Sequence, residues 1–238
     1  MKSKKTLLTL LSAFILGISA FSQTSSKDKI YETFDNIVGV ENTGLFNGTE
    51  FTDLFLNTDG TYRYFNGFDY VRGSVTYNGE YYVNVLLKYD LLEDNLLTRS
   101  DDNLSLFNVK FIPEFVESFS MYNRNFVRLS DTNLGLARNG FYEAAYLGND
   151  LQLYIKHSKR KKDRALNSGI QYKFSEDNFY LLKNKNAYSV IRSTKDLRKA
   201  LPERADEIKD FYKSYKALYK SNPDSFMTKL VKYLDGSK

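Results

Sequence analysis

The chain has 238 residues, with 34 Lys/Arg against 29 Asp/Glu, 19 Tyr, 18 Phe, one His and no Cys or Trp. The missing cysteines exclude disulfides, thiol catalysis, cysteine-ligated metal and a lipidated N-terminal cysteine. The length suits one domain, or one domain with an appendage, large enough to bury a core without covalent staples.

The net charge of +5 overstates the body of the protein, because Lys2, Lys4 and Lys5 supply three of those charges at the very start. They precede the apolar run Leu7 to Ala20 and the small residues Ala20 and Ser22. Together these read as a secretory signal peptide over residues 1–22, cut near Ser22–Gln23. The apolar run falls short of the ~20 residues of a spanning helix, so export is expected rather than anchoring. Residues 23–29 read as a polar, disordered leader. The remainder is polarised: residues 23–150 hold 10 Lys/Arg against 19 Asp/Glu, and residues 151–238 hold 21 against 10. Such asymmetry bears on fields and partners, unless the halves neutralise each other on folding.

Ile30, Phe34 and Ile37 have the spacing of a short helix. Phe51 to Leu56 and Thr61 to Phe65 flank Asp59-Gly60 and predict a hairpin. The best-specified stretch follows. Tyr81, Val83, Val85, Leu87, Tyr89 and Leu91 alternate with positions that include Asn84, Lys88 and Asp90, the mark of a strand with one buried face. Asn78-Gly79 and Val71 to Tyr77 precede it, so a second hairpin is expected. A plain two-residue turn would set Val75 opposite Tyr82 and separate the two apolar sets. The buried pattern therefore predicts a three-residue loop or a bulge, with Gly79 at positive φ.

Further strands are expected at Leu96 to Arg99, after Glu93-Asp94-Asn95, and at Leu104 to Ile112, after Asp101-Asp102-Asn103. Others follow at Ser118 to Tyr122, Phe126 to Leu129, Phe141 to Leu147, Leu151 to His157, Gln171 to Phe174, Phe179 to Leu182 and Tyr188 to Ile191. The period changes after Arg192. Ser193 or Thr194 can cap a helix running to about Leu201, and Pro202 can open the next. Ile208, Phe211, Tyr212, Tyr215, Leu218 and Tyr219 form one apolar stripe. Asn222-Pro223 starts a last helix carrying Phe226, Leu230, Val231 and Leu234. The expected fold is mainly β (α+β): an antiparallel meander over residues 30–192 forming a curved sheet, half-barrel or sandwich. A helical segment, 193–238, packs on it. An amphipathic helix lying on a membrane is the rival reading of that segment. An outer-membrane barrel is the rival for the sheet, although most strands fall short of the 9–11 residues it needs.

No nucleophile elbow, P-loop, dinucleotide fingerprint, calcium loop or H-E-x-x-H pattern occurs. No catalytic residue, metal ligand or cofactor is assigned. Carboxylates cluster at Glu93-Asp94 and Asp101-Asp102, in turns where acidic residues are common. The most distinctive polar feature is the basic run. Lys156, His157, Lys159, Arg160, Lys161, Lys162 and Arg164 lie within nine residues, ahead of the flexible Asn167-Ser168-Gly169. One reading is a solvated hairpin loop. The other is a site for an anionic partner: lipid head groups, lipopolysaccharide or an acidic glycan. Nucleic acid is not expected of an exported chain without a recognisable module.

Three stretches resemble exported proteins of the Bacteroidota to which no activity is assigned, as does the signal peptide ending Ala20-Phe21-Ser22-Gln23. They are Tyr77-Asn78-Gly79-Glu80-Tyr81-Tyr82 running into Leu87-Lys88-Tyr89-Asp90-Leu91, then Tyr154-Ile155-Lys156-His157, then Ser193-Thr194-Lys195-Asp196-Leu197 with Pro202 and Ile208-Lys209-Asp210-Phe211. The resemblance implies a periplasmic, secreted or outer-membrane-peripheral location and carries no site residues. The expected function is a non-catalytic envelope protein that binds an apolar or anionic molecule or an envelope protein. A lipid carrier with a half-barrel cavity and a carboxylate-based hydrolase are the alternatives. A large apolar cavity would favour the carrier, a polar cleft with two perturbed carboxylates the enzyme, and a filled core a binding role.

Overall fold

The computed structural model describes residues 44–100, 108–130 and 139–236. The signal peptide, the leader, the Ile30–Ile37 helix and the Asp101-Asp102-Asn103 turn lie outside them. The described chain is mainly β, with a large open antiparallel sheet and C-terminal helices. The strands are β1 (Thr49–Phe51), β2 (Val71–Tyr77), β3 (Glu80–Asp90), β4 (Asn95–Arg99), β5 (Asn108–Lys110), β6 (Val116–Met121) and β7 (Arg124–Leu129). They continue with β8 (Gly140–Leu147), β9 (Leu151–Lys156), β10 (Lys159–Leu166), β11 (Gly169–Glu176), β12 (Phe179–Asn184) and β13 (Ala187–Ile191). Eleven of them form one sheet in the order β1-β5-β4-β3-β2-β6-β7-β8-β9-β12-β13, and β10 and β11 form a separate pair. The meander is broken at three places: β1 lies beside β5, the chain returns after β5 to lay β6 beside β2, and β10 and β11 leave the sheet between β9 and β12.

The β2–β3 hairpin corrects one expectation and keeps its physical content. The turn itself is the two-residue one: Tyr77 pairs with Glu80, and Asn78 (φ 52°) and Gly79 (φ 82°) are both left-handed, as a primed turn requires. Val75 therefore does face Tyr82. The parity change comes further along, where the register shifts between Gly73 and Val75 and Asn84 adopts φ 59°. Beyond this bulge Gly73 faces Val85 and Val71 faces Leu87. Tyr82, Val85, Leu87 and Tyr89 are consequently buried, while Tyr81 turns outward. A single extra residue at Val83-Asn84 lets both apolar sets share one face.

That face is strongly concave. Strands lie roughly 4.8 Å apart, so β3 and β8, four places apart in the sheet, would be about 19 Å apart if it were flat. Instead the Tyr89 and Phe141 rings are 6.0 Å apart, and Lys156 at the end of β9 reaches Asp94 after β3 at 2.6 Å. The space inside the curl is filled by rings. Phe119 and Phe126 stack at 4.6 Å, with Phe65, Tyr89 and Phe141 edge-on or tilted around them. Offset and edge contacts are the arrangements aromatic quadrupoles favour, so the period-two aromatics of the sequence become an interlocked core.

No hairpin forms at Asp59-Gly60. Thr58 bridges Tyr172 and Tyr64 bridges Asp90, so the two flanks pair with different strands. Local bonds favour turns over strand there: the Phe55 amide donates to Asp53, and the Thr61 amide and hydroxyl donate to Asp59. Arg63 is buried and forks onto Asp90, which draws the segment across the end of β3.

The helices are α1 (Thr194–Ala200), α2 (Ala205–Ser214), α3 (Lys216–Ser221) and α4 (Pro223–Gly236). Ser193 caps α1 through the Asp196 amide, and Asn222 caps α4 through the Ser225 amide, with Pro223 in the first turn. The expected stripe divides at Tyr215, between α2 and α3. Ile208, Phe226, Leu230, Val231 and Leu234 pack with Leu153, Ile155, Leu182 and Ile191 of β9, β12 and β13. Asp235 of α4 accepts the amides of Asn149, Asp150 and Leu151 and the Tyr146 hydroxyl, tying the helix end to the β8–β9 turn.

Candidate functional site

The basic run does not form one site. It begins at the buried end of β9 and continues along β10, so most of it is strand rather than loop. Alternation of side chains along a strand then divides its cations between two environments.

Lys156 and His157 point inward and are each 5% exposed. Lys156 Nζ donates to Asp94 Oδ2 at 2.6 Å and to the Phe141 carbonyl at 2.9 Å, above the Tyr142 ring. Gly140 (φ 140°) makes room for this pair, since a Cβ there would lie 1.9 Å from Asp94 Oδ2. His157 Nε2 and Arg124 Nη1 both meet Glu143 Oε2, at 2.6 and 2.7 Å. Burial alone would push the Glu143 carboxyl up, but the bonds from His157 and Arg124 outweigh it and hold the group below its ordinary value. The His157 ring packs edge-on to Phe65 and Phe126. These two residues therefore leave the candidate anion site: their polar atoms already have partners in the core.

Lys159 and Lys161 occupy the inner face of the β10–β11 hairpin. Lys159 Nζ donates to the Tyr62 carbonyl at 2.6 Å, and desolvation on burial lowers its pKa. Lys161 pairs with Asp163 and lies over the Phe55 and Tyr172 rings. Phe55 packs against Tyr172 and Phe174, so this face is the hairpin's apolar seat.

The outer face is different. Arg160, Lys162 and Arg164 are exposed there, and the register sets Lys162 opposite Lys173 of β11. Arg160 contacts Asp177 at 3.2 Å and Lys173 contacts Asp59 at 3.3 Å, both as exposed pairs. Among the described residues neither Lys162 nor Arg164 has a carboxylate within 4.0 Å. Like charges directly opposite across a strand pair disfavour the hairpin, and an anion between them would relieve that. Lys173 belongs to the site and was missed, because it stands outside the run. Counting back from the Asn167-Ser168 turn would have paired it with Lys162.

A second candidate is a hollow of about 110 Å³ whose walls include Arg124, His157, Lys159, Glu176, Asn178 and Asp224. Its basic groups are committed: Arg124 and His157 to Glu143, and Lys159 to the Tyr62 carbonyl. The carboxylates noted in the sequence are also engaged, Glu93 with Arg63 at 3.2 Å and Asp94 with Lys156; Asp101 and Asp102 lie outside the described residues. Among the described residues no three His, Asp or Glu gather as metal ligands, and no helix is long and apolar enough to cross a membrane.

Comparison with protein-family models, with curated proteins and with solved structures finds no match. The functional reading therefore rests on the residues themselves.

Proposed function

We propose that this is a non-catalytic, exported envelope protein that holds a phosphate-bearing anionic surface through the outer face of the β10–β11 hairpin. The observation that carries the reading is the row Arg160, Lys162 and Arg164 with Lys173 opposite Lys162. Same-face residues on a strand stand about 7 Å apart, so the row presents separate charges to several headgroups rather than one chelated ion. Each Lys or Arg near an anionic membrane surface contributes ~1 kcal/mol at physiological salt, less where a carboxylate competes, as at Arg160 and Lys173. The ring-filled interior of the curl supports binding at the surface over carriage of a lipid inside the sheet. Among the described residues, Glu93 and Asp94 are held by Arg63 and Lys156, which favours binding over hydrolysis at that pair.

The test is co-sedimentation of the mature chain with phosphatidylglycerol vesicles at low and high salt. The expected result is binding that fades above ~0.3 M salt, where the Debye length shrinks towards the scale of a contact. Arg160→Glu, Lys162→Glu and Arg164→Glu together abolish it. Absence of binding by the unaltered chain, or full binding by the triple variant, removes the proposal.

A further inference from the structure

The hairpin's far end is apolar as well as basic. Of the eleven exposed large hydrophobic residues described, four belong to this corner: Leu54, Leu56, Leu166 and Ile170. They lie on two segments that touch. Thr58 bridges Tyr172 in parallel sense, and Asn57 Nδ2 donates to the Ile170 carbonyl at 2.9 Å. Counting back two residues on each segment sets Leu56 (81% exposed) beside Ile170 (51% exposed). Ile170 pairs with Ala165, and Leu166 with Gly169, at the Asn167-Ser168 turn. Arg164, Lys162 and Lys173 follow Leu166 along the outer face, while Ile170 shares the inner face with Tyr172 and Phe174, which with Phe55 anchor the base. An isolated two-stranded ribbon is marginal in water, and the seat on Phe55 together with the Tyr172–Asn57 backbone bond supplies the missing support.

Clustered apolar side chains on a protruding hairpin are a liability in water unless something covers them. The row of cations on the outer face of the same ribbon selects what that is. A purely apolar protein groove would leave Lys162 and Arg164 desolvated, and a soluble acidic glycan would leave the leucines wet. A bilayer with anionic headgroups, met end-on by the hairpin, satisfies both, with hydrocarbon for the tip and phosphates for the row above it. Building on the surface-binding reading above, we propose that Leu56, Leu166 and Ile170 at the hairpin tip dip below the headgroups of an anionic bilayer while the nearest cations of the outer face, Arg164, Lys162 and Lys173, hold its phosphates.

The natural chain has no tryptophan, so Ile170→Trp gives a single reporter at the tip. With phosphatidylglycerol vesicles its emission shifts to the blue and is quenched by lipids brominated on the acyl chain; Leu147→Trp, at an exposed site on β8, stays unquenched. Leu56→Ser with Ile170→Ser weakens vesicle binding by about tenfold or more, as expected for two aliphatic side chains returned to water. All three variants keep the far-ultraviolet spectrum of the natural chain, because none of the altered side chains is in the core. If vesicles bind with unchanged salt dependence but the Ile170→Trp emission neither shifts nor is quenched, tip insertion is wrong and surface binding stands. If the natural chain binds a soluble acidic polysaccharide as tightly as it binds vesicles, tip insertion is likewise wrong. If it binds no anionic surface, both readings fall together.

Discussion

Lys156 and Lys162 are six positions apart on one continuous basic run, and they live in opposite worlds. Lys156 is enclosed by the curl of the sheet, bonded to Asp94 and a carbonyl over an aromatic ring. Lys162 stands on an exposed ribbon, facing another lysine. The difference teaches that a run of like charge is a property of the chain, whereas a site is a property of a face. Strand alternation and one change of sheet, between β9 and β10, divide the run into interior fasteners and an exterior row.

The comparison can be broken from the inside first. Arg63 is the deepest of the interior cations, 3% exposed against an Asp90 that is fully buried. Arg63→Met removes its guanidinium and leaves a charge with no water around it. A loss of ~3–5 kcal/mol is expected from the cost of stranding one partner of a buried pair. Lys156→Met should lose less, about 2–3 kcal/mol on the same scale, because Asp94 keeps 27% exposure and can rehydrate. Urea denaturation checks both. A Lys156→Met loss below that of an exterior lysine would mean that the curl does not close as described.

Acid offers a third test. Because the Glu143 carboxyl is held below its ordinary value of 4.5, folding favours its ionised form. That contribution is complete above the unfolded value and disappears as pH falls through the lower folded one. The melting temperature of the natural chain should therefore drop below about pH 4.5. Glu143→Gln should lose ~1.5–3 kcal/mol at neutral pH, the range for hydrogen bonds to a charged group, and show a shallower acid decline. Equal acid slopes in the two proteins would remove Glu143 from the interior set.

Much of the fold was legible because it follows from local pattern. The strands at 71–77, 80–90, 140–147 and 151–156, the Ser193 cap and the Asn222-Pro223 helix start all lie where alternation and capping chemistry put them. Three features escaped for definite reasons. β10 has no apolar alternation, since Lys, Arg and Asp fill both of its faces, so periodicity had nothing to report. The extra residue of the β2–β3 hairpin was expected, but its place at Val83-Asn84 was not, because it lies inside a run that looks regular and only the partner strand reveals it. The Asp59-Gly60 turn is real chemistry, but its flanks are claimed by β11 and β3, partners more than twenty residues away. For the candidate site, the run disclosed the cations, and pairing decided which of them count. Lys173 enters by register and Lys156 leaves by burial.

The smallest effect is the sharpest, because its sign is opposite to the others. Lys162 and Lys173 face each other across the hairpin, and like charges so placed cost ~0.2–1 kcal/mol relative to a neutral pair. Thr is also a better strand former than Lys. Lys162→Thr should therefore raise stability by a few tenths to ~1 kcal/mol, while interior substitutions lower it. Adding Lys173→Thr should gain less than the sum of the two single changes, since either one alone relieves the repulsion. The same substitution should weaken sedimentation with phosphatidylglycerol vesicles. A position where the natural residue is worse for folding and better for binding is what a site under functional demand looks like. If Lys162→Thr lowers stability, or leaves vesicle binding untouched, the two lysines are not a repelling pair awaiting an anion, and the exterior row is merely solvated surface.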